Sequence, residues 1–422
     1  GVGYLFPFSA LTQPVDYWNE LFPDFNIEFA ITNTYMWVNL SVIALFVFVG
    51  GEPVFRKRIY GGFAGQLFVL ILVPTTWFCH FSENVNFWII IVSTTIAAVV
   101  TALIDSCAIA FSAQYPQSIQ AGFQLGIGVS TLIGSVYRIF TKLVFPDRMV
   151  VASSLLYFYC GAGTIVFCMY AYYLLLQLDL SKRHVRFGLS PASRSALTTS
   201  PPPSNQMTHL LTSPVRTHHT YQAIEEGNST FDSPSKIPPS SVNSEDEEEG
   251  FAHRYHVFCT VLPALAVVFN IFFTTLAVWP ALTTEVPSYN FPYLQETRWW
   301  SLILLFLFAA MDCTGRLLVE YRWIITKDNI WVFAVLRTLF IPLLICSVKG
   351  WIFTNDIWSV LFISILGYTN GYLGSLSILL VNDWVDPRYT GLAGTFTGFT
   401  LNSGLVVGAT ASVFLDKFVQ SL

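Results

Sequence analysis

Long apolar runs dominate this sequence and constrain its fold more than any other feature. A helix that crosses a bilayer needs about 20 mostly apolar residues. The stretches that meet this requirement are residues 1–18, 30–50, 59–81, 87–111, 118–144, 150–178, 255–279, 299–321, 330–349, 356–380 and 390–416. Each run is predicted to be helical, because backbone polar groups cannot stay unpaired in lipid. The sequence therefore predicts an all-α polytopic membrane protein with eleven transmembrane helices.

The composition agrees with a chain whose main solvent is lipid. Hydrophobic residues make up 54% of the 422 residues and charged residues only 11%, against about a quarter in soluble domains. The seven cysteines show neither metal-ligand spacing nor a disulfide framework. The sequence also lacks an H-E-x-x-H motif, a nucleophile elbow and a paired histidine cluster. We therefore expect no enzyme activity, no metal and no other cofactor.

The chain opens directly with an apolar run, Gly-Val-Gly-Tyr-Leu-Phe-Pro-Phe, without a starting Met or a basic region. We interpret this run as a first transmembrane helix whose native N-terminal extension is missing. A cleaved signal peptide is the alternative, but no small-residue cleavage site follows.

Residues 186–250 differ in composition from the rest of the chain. Pro, Ser and Thr dominate this segment, and an acidic cluster closes it. Such a segment cannot bury enough apolar area to offset its chain entropy, so it is predicted to be a disordered loop. It separates an N-terminal six-helix half, residues 1–185, from a C-terminal five-helix half, residues 251–422.

The distribution of Lys and Arg predicts the orientation, because cytosolic ends of membrane helices carry more of them. One set of helix ends carries Arg56, Lys57, Arg58, Lys182, Arg183, Arg186, Arg254, Arg322, Lys327 and Arg388. The opposite set carries Arg148, Arg298, Lys349 and Lys417, with Lys142 near the boundary. We therefore expect a cytosolic N-terminus, a cytosolic loop and a C-terminus on the opposite side. The expected location is the plasma membrane, with the C-terminus extracellular, and an organelle membrane is the alternative.

Two charged residues lie four positions apart within the eighth predicted span, Asp312 and Arg316. This spacing places them on one helical face, a turn apart. Charged groups at membrane depth are expensive and normally face a cavity or one another. The pair could neutralise itself to reduce the cost of burial. Alternatively, it could bind a substrate that needs both a hydrogen-bond acceptor and a fork of donors, and we favour this second role.

Three more charges lie within predicted spans: Asp105, Arg138 and Arg337. From the rise of about 1.5 Å per residue, Asp105 lies at a depth similar to that of Arg316. We expect Arg316 to contact both acids, which leaves one excess negative charge, and one acid to take up a proton during the cycle. We expect Arg337, near the cytosolic end of its span, to act in structure or gating. Arg138 should snorkel or form an internal pair.

Five pairs of glycines at four-residue spacing predict close approach of helix backbones. The pairs are Gly61/Gly65, Gly122/Gly126, Gly367/Gly371, Gly394/Gly398 and Gly404/Gly408.

Several motifs together resemble the equilibrative nucleoside transporters. The opening residues Gly1, Gly3, Leu5 and Pro7 match the first-helix signature of that family, with Phe8 where the family has Trp and Ser9 where it has Asn. Further similar segments are residues 272–286, 311–316 (Met-Asp-Cys-Thr-Gly-Arg), 336–344 and 368–376 (Tyr-Thr-Asn-Gly-Tyr-Leu-Gly-Ser-Leu). The resemblance runs from the first span to the last and excludes the loop.

The resemblance implies a major-facilitator-like arrangement of six plus five helices around a central site. It implies that Asp312 and Arg316 engage ribose hydroxyls and that Phe8 stacks near the ligand. Asp105, eleven residues before Pro116, replaces a family Gln that contacts the base. By the same resemblance Ser9, Leu40 and Leu405 would also line the pocket. We assign Arg337 and Asn370 to gating or structure.

The leading hypothesis is a carrier for nucleosides, with nucleobases as a further substrate class, that works by alternating access. Transport would be facilitative or proton-coupled. We expect a monomer in the lipid bilayer, with protons as a candidate partner and no nucleic acid. The alternative is an organic cation or monoamine carrier of the same family, because an uncompensated Asp would favour cations.

Overall fold

A computed structural model describes residues 1–22, 27–49, 55–79, 81–112, 115–145, 149–178, 244–322 and 324–421. Within these ranges every regular element is a helix, which confirms the predicted all-α class. The helices before the loop are α1 Val2–Thr12, α2 Val15–Leu21, α3 Ile27–Val49, α4 Phe55–Thr75, α5 Glu83–Ser112, α6 Gln117–Val144 and α7 Val150–Gln177. Those after it are α8 Ser244–Val278, α9 Ala281–Glu285, α10 Pro292–Glu296, α11 Trp299–Leu317, α12 Ile330–Leu336, α13 Phe340–Lys349, α14 Asp356–Val381 and α15 Thr390–Ser421.

Nine helical segments in the described ranges are long and apolar enough to cross a membrane. The first predicted span is present as the short apolar helix α1, Val2–Thr12, and the second lies in α3, Ile27–Val49, with the apolar stretch Ala30–Phe46. The number of eleven transmembrane helices therefore remains a prediction.

Two sequence-based boundaries differ from the structure. The predicted first span, residues 1–18, breaks between α1 and α2, because Pro14 has no N–H to donate to the carbonyl of Ala10. Residues 244–250, assigned to the disordered loop, are the described start of α8, which begins at Ser244. The rest of the predicted loop, residues 186–243, lies outside the described residues.

The ninth predicted span contains a tight turn in its middle. A 3-10 segment, Arg337–Leu339, joins α12 to α13. Pro342, one turn later, cannot donate to the carbonyl of Thr338, and its ring crowds that carbonyl. The local tightening of the helix follows from this lost hydrogen bond, and it places Arg337 at the break.

Residues 1–184 and 254–422 form one compact unit, so the two predicted halves pack directly on each other. They meet along two lines, α6 against α11, and α3 together with α5 against α15. Glycines bring some helices very close. The Cα of Gly371 in α14 lies against the carbonyl of Asp312 in α11, and Gly408 in α15 lies against Phe273 in α8.

Not every predicted glycine contact is present. Nothing lies within 4 Å of where a side chain on Gly61 or Gly122 would begin. The spacing rule is wrong at these two positions, because four-residue spacing identifies a face of a helix and not whether another backbone packs on that face.

Candidate substrate-binding site

The acid and the guanidinium of α11 form a buried ion pair at the centre of the protein. Nε of Arg316 lies 2.8 Å from Oδ2 of Asp312 and Nη2 lies 3.4 Å from Oδ1. Asp312 is 3% exposed and Arg316 is 5% exposed, yet both line a cavity between the two halves. The contact predicted from the four-residue spacing is therefore present.

The guanidinium of Arg316 also bonds a residue of the N-terminal half. Its Nη1 donates to the side-chain oxygen of Gln124 in α6 at 3.1 Å and to Ser375 Oγ in α14 at 3.4 Å. Gly128, one turn after Gln124, leaves the space that the Arg316 side chain fills. Gln124 is not among the residues predicted from the sequence, although a polar side chain within a membrane span is the kind of signal that marks such a partner.

Asn370 completes the surroundings of Asp312. Its Nδ2 donates to Asp312 Oδ1 at 2.6 Å, and the side chain lines the cavity. Its Oδ1 accepts from the hydroxyl of Thr275 at 2.7 Å and from Nη2 of Arg337 at 3.4 Å. Arg337 is 2% exposed. It belongs to the same network as the central ion pair, whereas the sequence placed it near the cytosolic face.

Asp105 lies at a different position on the cavity wall. Its Oδ2 accepts from Nδ2 of Asn39 in α3 at 3.0 Å. Among the described residues it forms no ion pair, and the guanidinium of Arg316 bonds elsewhere. The expected sharing of Arg316 between two acids is therefore wrong. The expected excess of one negative charge is also wrong, because the buried side chains around the cavity include a second guanidinium, that of Arg337, beside the two acids.

Aromatic rings from both halves line the same cavity. Phe8 in α1 contacts Tyr35 in α3, with ring centroids 4.9 Å apart and an angle of 40° between the planes. On the other side Trp279 stacks on Phe308, with centroids also 4.9 Å apart and an angle of 18°. These flat apolar surfaces suit a planar ring system.

The structure brings most of the predicted site residues together. The cavity is lined by Phe8, Ser9, Asp105, Asp312, Arg316, Asn370 and Leu405. Leu40 does not line it. Met36 and Asn39 of the same helix do, and they share a face because they are three residues apart. Leu40, the residue after Asn39, packs instead against the hydrophobic core formed mainly by the N-terminal half.

The cavity has a volume of about 100 Å³, below the roughly 300–1,000 Å³ of typical ligand pockets. A second cavity of about 880 Å³ lies within the N-terminal half, and no acidic or basic side chain lines it. The smaller, central cavity is therefore the better candidate for a polar substrate. No group of three or more His, Cys, Asp or Glu among the described residues is arranged to hold a metal.

A model of the family described as "Nucleoside transporter" matches residues 90–417 of the chain. The chain belongs to the equilibrative nucleoside transporter family. Its family and its apolar helices together show that it is an integral multi-pass membrane protein. The resemblance found in the sequence motifs is thereby confirmed.

Curated relatives extend this similarity over the full length. Equilibrative nucleoside transporter 4 of Danio rerio is 25% identical, and the match covers 100% of this chain and 82% of the relative. Equilibrative nucleotide transporter 8 of Arabidopsis thaliana is 22% identical over 97% of this chain and 91% of its own. Equilibrative nucleoside transporter 1 of Mus musculus is 33% identical, but over only 37% of each chain.

Solved structures show the fold. The proton:xylose symporter XylE, a major facilitator superfamily protein, matches with a TM-score of 0.60 at 9% identity, over 99% of this chain and 87% of that one. A partially occluded, inward-open form of XylE from E. coli matches with a TM-score of 0.54 at 11% identity, over 100% of this chain and 96% of that one. The family member described here therefore has a major-facilitator-like fold.

Proposed function

We propose that this chain carries nucleosides across the plasma membrane, with nucleobases as secondary substrates. The observation that supports this most is the ion pair of Asp312 and Arg316, buried between the halves and still open to a cavity lined by aromatic rings. The names of the relatives support the same substrate class.

The free hydrogen-bonding capacity of the pair suits a ribose. A carboxylate offers about four acceptor positions, and Arg316 and Asn370 occupy three of those on Asp312. A guanidinium has five N–H groups. After Asp312, Gln124 and Ser375 are satisfied, one N–H on Nη2 of Arg316 remains. We propose that this acceptor on Asp312 and this donor on Arg316 bind hydroxyls of the ribose.

The opposite wall would hold the base. Phe8 and Tyr35 supply a stacking surface, and Asp105 with Asn39 supplies polar atoms beside it. Oδ1 of Asp105 and Oδ1 of Asn39 are buried and have no well-aligned hydrogen bond from the described residues, although Tyr4 and Asn402 lie beside Asp105. We propose that they accept from the amino or ring N–H groups of a base, since unpaired buried acceptors are costly without a ligand.

We propose alternating access as the mechanism, with a cytosolic N-terminus and an extracellular C-terminus. The halves are tied at both ends of α6. At one end Gln120 pairs with Asn382 at 2.9 Å; at the other Lys142 donates to the carbonyl of Thr297 at 2.8 Å. A nucleoside can enter the small cavity only if one of these ends opens, as in rocking of two halves around a central site.

The test of the function is uptake of a panel of nucleosides, nucleobases and serotonin-like cations in transporter-deficient cells. We expect saturable nucleoside uptake that other nucleosides inhibit. Uptake of cations without nucleoside uptake would contradict the proposal and would favour the organic cation alternative.

Asp105 is the acid that we propose to exchange a proton. Asp312 is held by a guanidinium, whereas the polar side chains beside Asp105, those of Asn39, Tyr4 and Asn402, are neutral. We therefore expect wild-type uptake to be faster from an acidic than from a neutral medium, and Asp105→Asn to remove this difference while retaining uptake. The measurement is initial uptake rate at the two pH values. An equal pH ratio in the wild type and the variant would show that Asp105 is not the group that exchanges the proton. A wild type insensitive to pH would favour facilitative transport.

A further inference from the structure

We propose that Arg337 is a positioning residue for the substrate site, acting on Asp312 through the side-chain amide of Asn370. The inference rests on the proposed function, in which Asp312 accepts a hydrogen bond from a ribose hydroxyl. Arg337 does not line the cavity, so its effect on a substrate must pass through its neighbours.

Arg337 is held at the point where three helices meet. It lies at the 3-10 turn between α12 and α13 and is almost completely buried. Its guanidinium bonds α8 and α14: Nη1 to the carbonyl of Ile271 at 2.7 Å, Nη2 to that of Leu366 at 3.1 Å, and Nε to Thr369 Oγ1 at 3.0 Å. A planar fork fixed at this many points can hold a neighbouring group in one orientation.

That neighbouring group is the amide of Asn370. Its Oδ1 accepts from Nη2 of Arg337 and from the hydroxyl of Thr275, whose single hydrogen also lies within reach of the carbonyl of Ile271 at 2.8 Å. The same hydroxyl accepts from Arg337 at 2.9 Å. With the amide reversed, NH₂ donors would face the guanidinium, which has no acceptor. The oxygen therefore faces Arg337, and Nδ2 faces Asp312 at 2.6 Å.

The orientation of Asn370 affects the carboxylate oxygen of Asp312 that would accept from the substrate. Arg316 and Asn370 bond the carboxylate of Asp312 from two helices and thereby fix its plane. If the amide of Asn370 turns or moves, Asp312 loses one of these two restraints. Its free acceptor position is then no longer aimed at the hydroxyl. Buried polar networks of this kind act as units.

The test compares a nucleoside with its 2′-deoxy and 3′-deoxy analogues in cells that express Arg337→Met. A matched control is Arg138→Met, which removes another buried arginine. Arg138 lies in α6, does not line the central cavity, and donates to Ser153 at 3.2 Å. We expect Arg337→Met to raise the KM of the nucleoside roughly tenfold, with a much smaller change for the analogue that lacks the bound hydroxyl. Arg138→Met should not discriminate between these substrates.

Two further variants keep the inference testable if Arg337→Met does not reach the membrane. Thr275→Val removes one donor to Asn370 Oδ1, and Arg337→Lys keeps the charge without the fork. Both should show the same selective rise for the hydroxyl-bearing substrate. Equal losses for the nucleoside and both analogues in all three variants, normalised to protein at the membrane, would mean that Arg337 is only structural. That result would overturn the role of Arg337 but not the proposal that the wild type carries nucleosides. A wild type that takes up no nucleoside would overturn both proposals.

Discussion

Replacing Asp312 or Arg316 with alanine is expected to reduce nucleoside uptake at least a hundredfold. Each change removes a charged group that would bind the ribose. It also leaves its partner as an uncompensated buried charge, which lowers the stability of the fold by about 3–5 kcal/mol. A loss of about 3 kcal/mol in binding already corresponds to roughly a hundredfold. The measurement is uptake of labelled adenosine, divided by the amount of protein at the cell surface.

The chain offers a matched control for this pair. Arg388 and Asp386 also form an ion pair, with 3.3 Å between Nε and Oδ1, but on an exposed surface. Surface pairs contribute little to stability, so Asp386→Ala and Arg388→Ala should transport like the wild type. Near-normal uptake by Asp312→Ala or Arg316→Ala would contradict the proposed site. Asp312→Asn and Arg316→Lys, which preserve the size of the side chain, separate loss of function from loss of folding.

Gly371→Ala is expected to destabilise the protein and to abolish most uptake. The Cα of Gly371 lies against the backbone carbonyl of Asp312, and no space remains there for a methyl group. Overpacking of a tight contact typically costs about 1–3 kcal/mol. Here the contact can be relieved only by moving α11 away from α14, which would displace Asp312 and break its bond to Asn370.

Thermal unfolding of the purified protein in detergent, together with uptake in cells, measures both effects. Gly122→Ala is the control, because the sequence assigns it to the same type of glycine pair but the structure shows nothing within 4 Å of the new methyl group. It should melt and transport like the wild type. A Gly371→Ala variant with unchanged melting temperature and uptake would show that α11 and α14 do not pack as described.

The sequence predicts contacts within one helix better than contacts between helices. The pair of Asp312 and Arg316 follows from four-residue spacing alone. Its partners Gln124 and Asn370 come from α6 and α14, and the backbone approach that brings them together is a property of the folded unit. Composition and run length locate the helices, but they carry no information on which helices become neighbours.

The expected contact between Asp105 and Arg316 is wrong for a geometric reason. Counting residues from a helix end gives depth in the membrane and not direction around the helix axis. Asp105 and Arg316 were therefore expected to meet, although Asp105 faces Asn39 and Arg316 faces Gln124. The resemblance, and not this count, placed Leu40 in the pocket, which Met36 and Asn39 of the same helix line instead. Arg337 was assigned to the cytosolic face by its depth, whereas its guanidinium bonds Asn370 beside the central ion pair.

An experimentally determined structure of the protein with a bound nucleoside tests the central claim most directly. We predict density for the nucleoside in the cavity between the halves, with a ribose hydroxyl oxygen about 2.5–3.0 Å from a carboxylate oxygen of Asp312 and the base beside Phe8. A nucleoside bound elsewhere in the protein, with Asp312 and Arg316 enclosed and out of its reach, would contradict it.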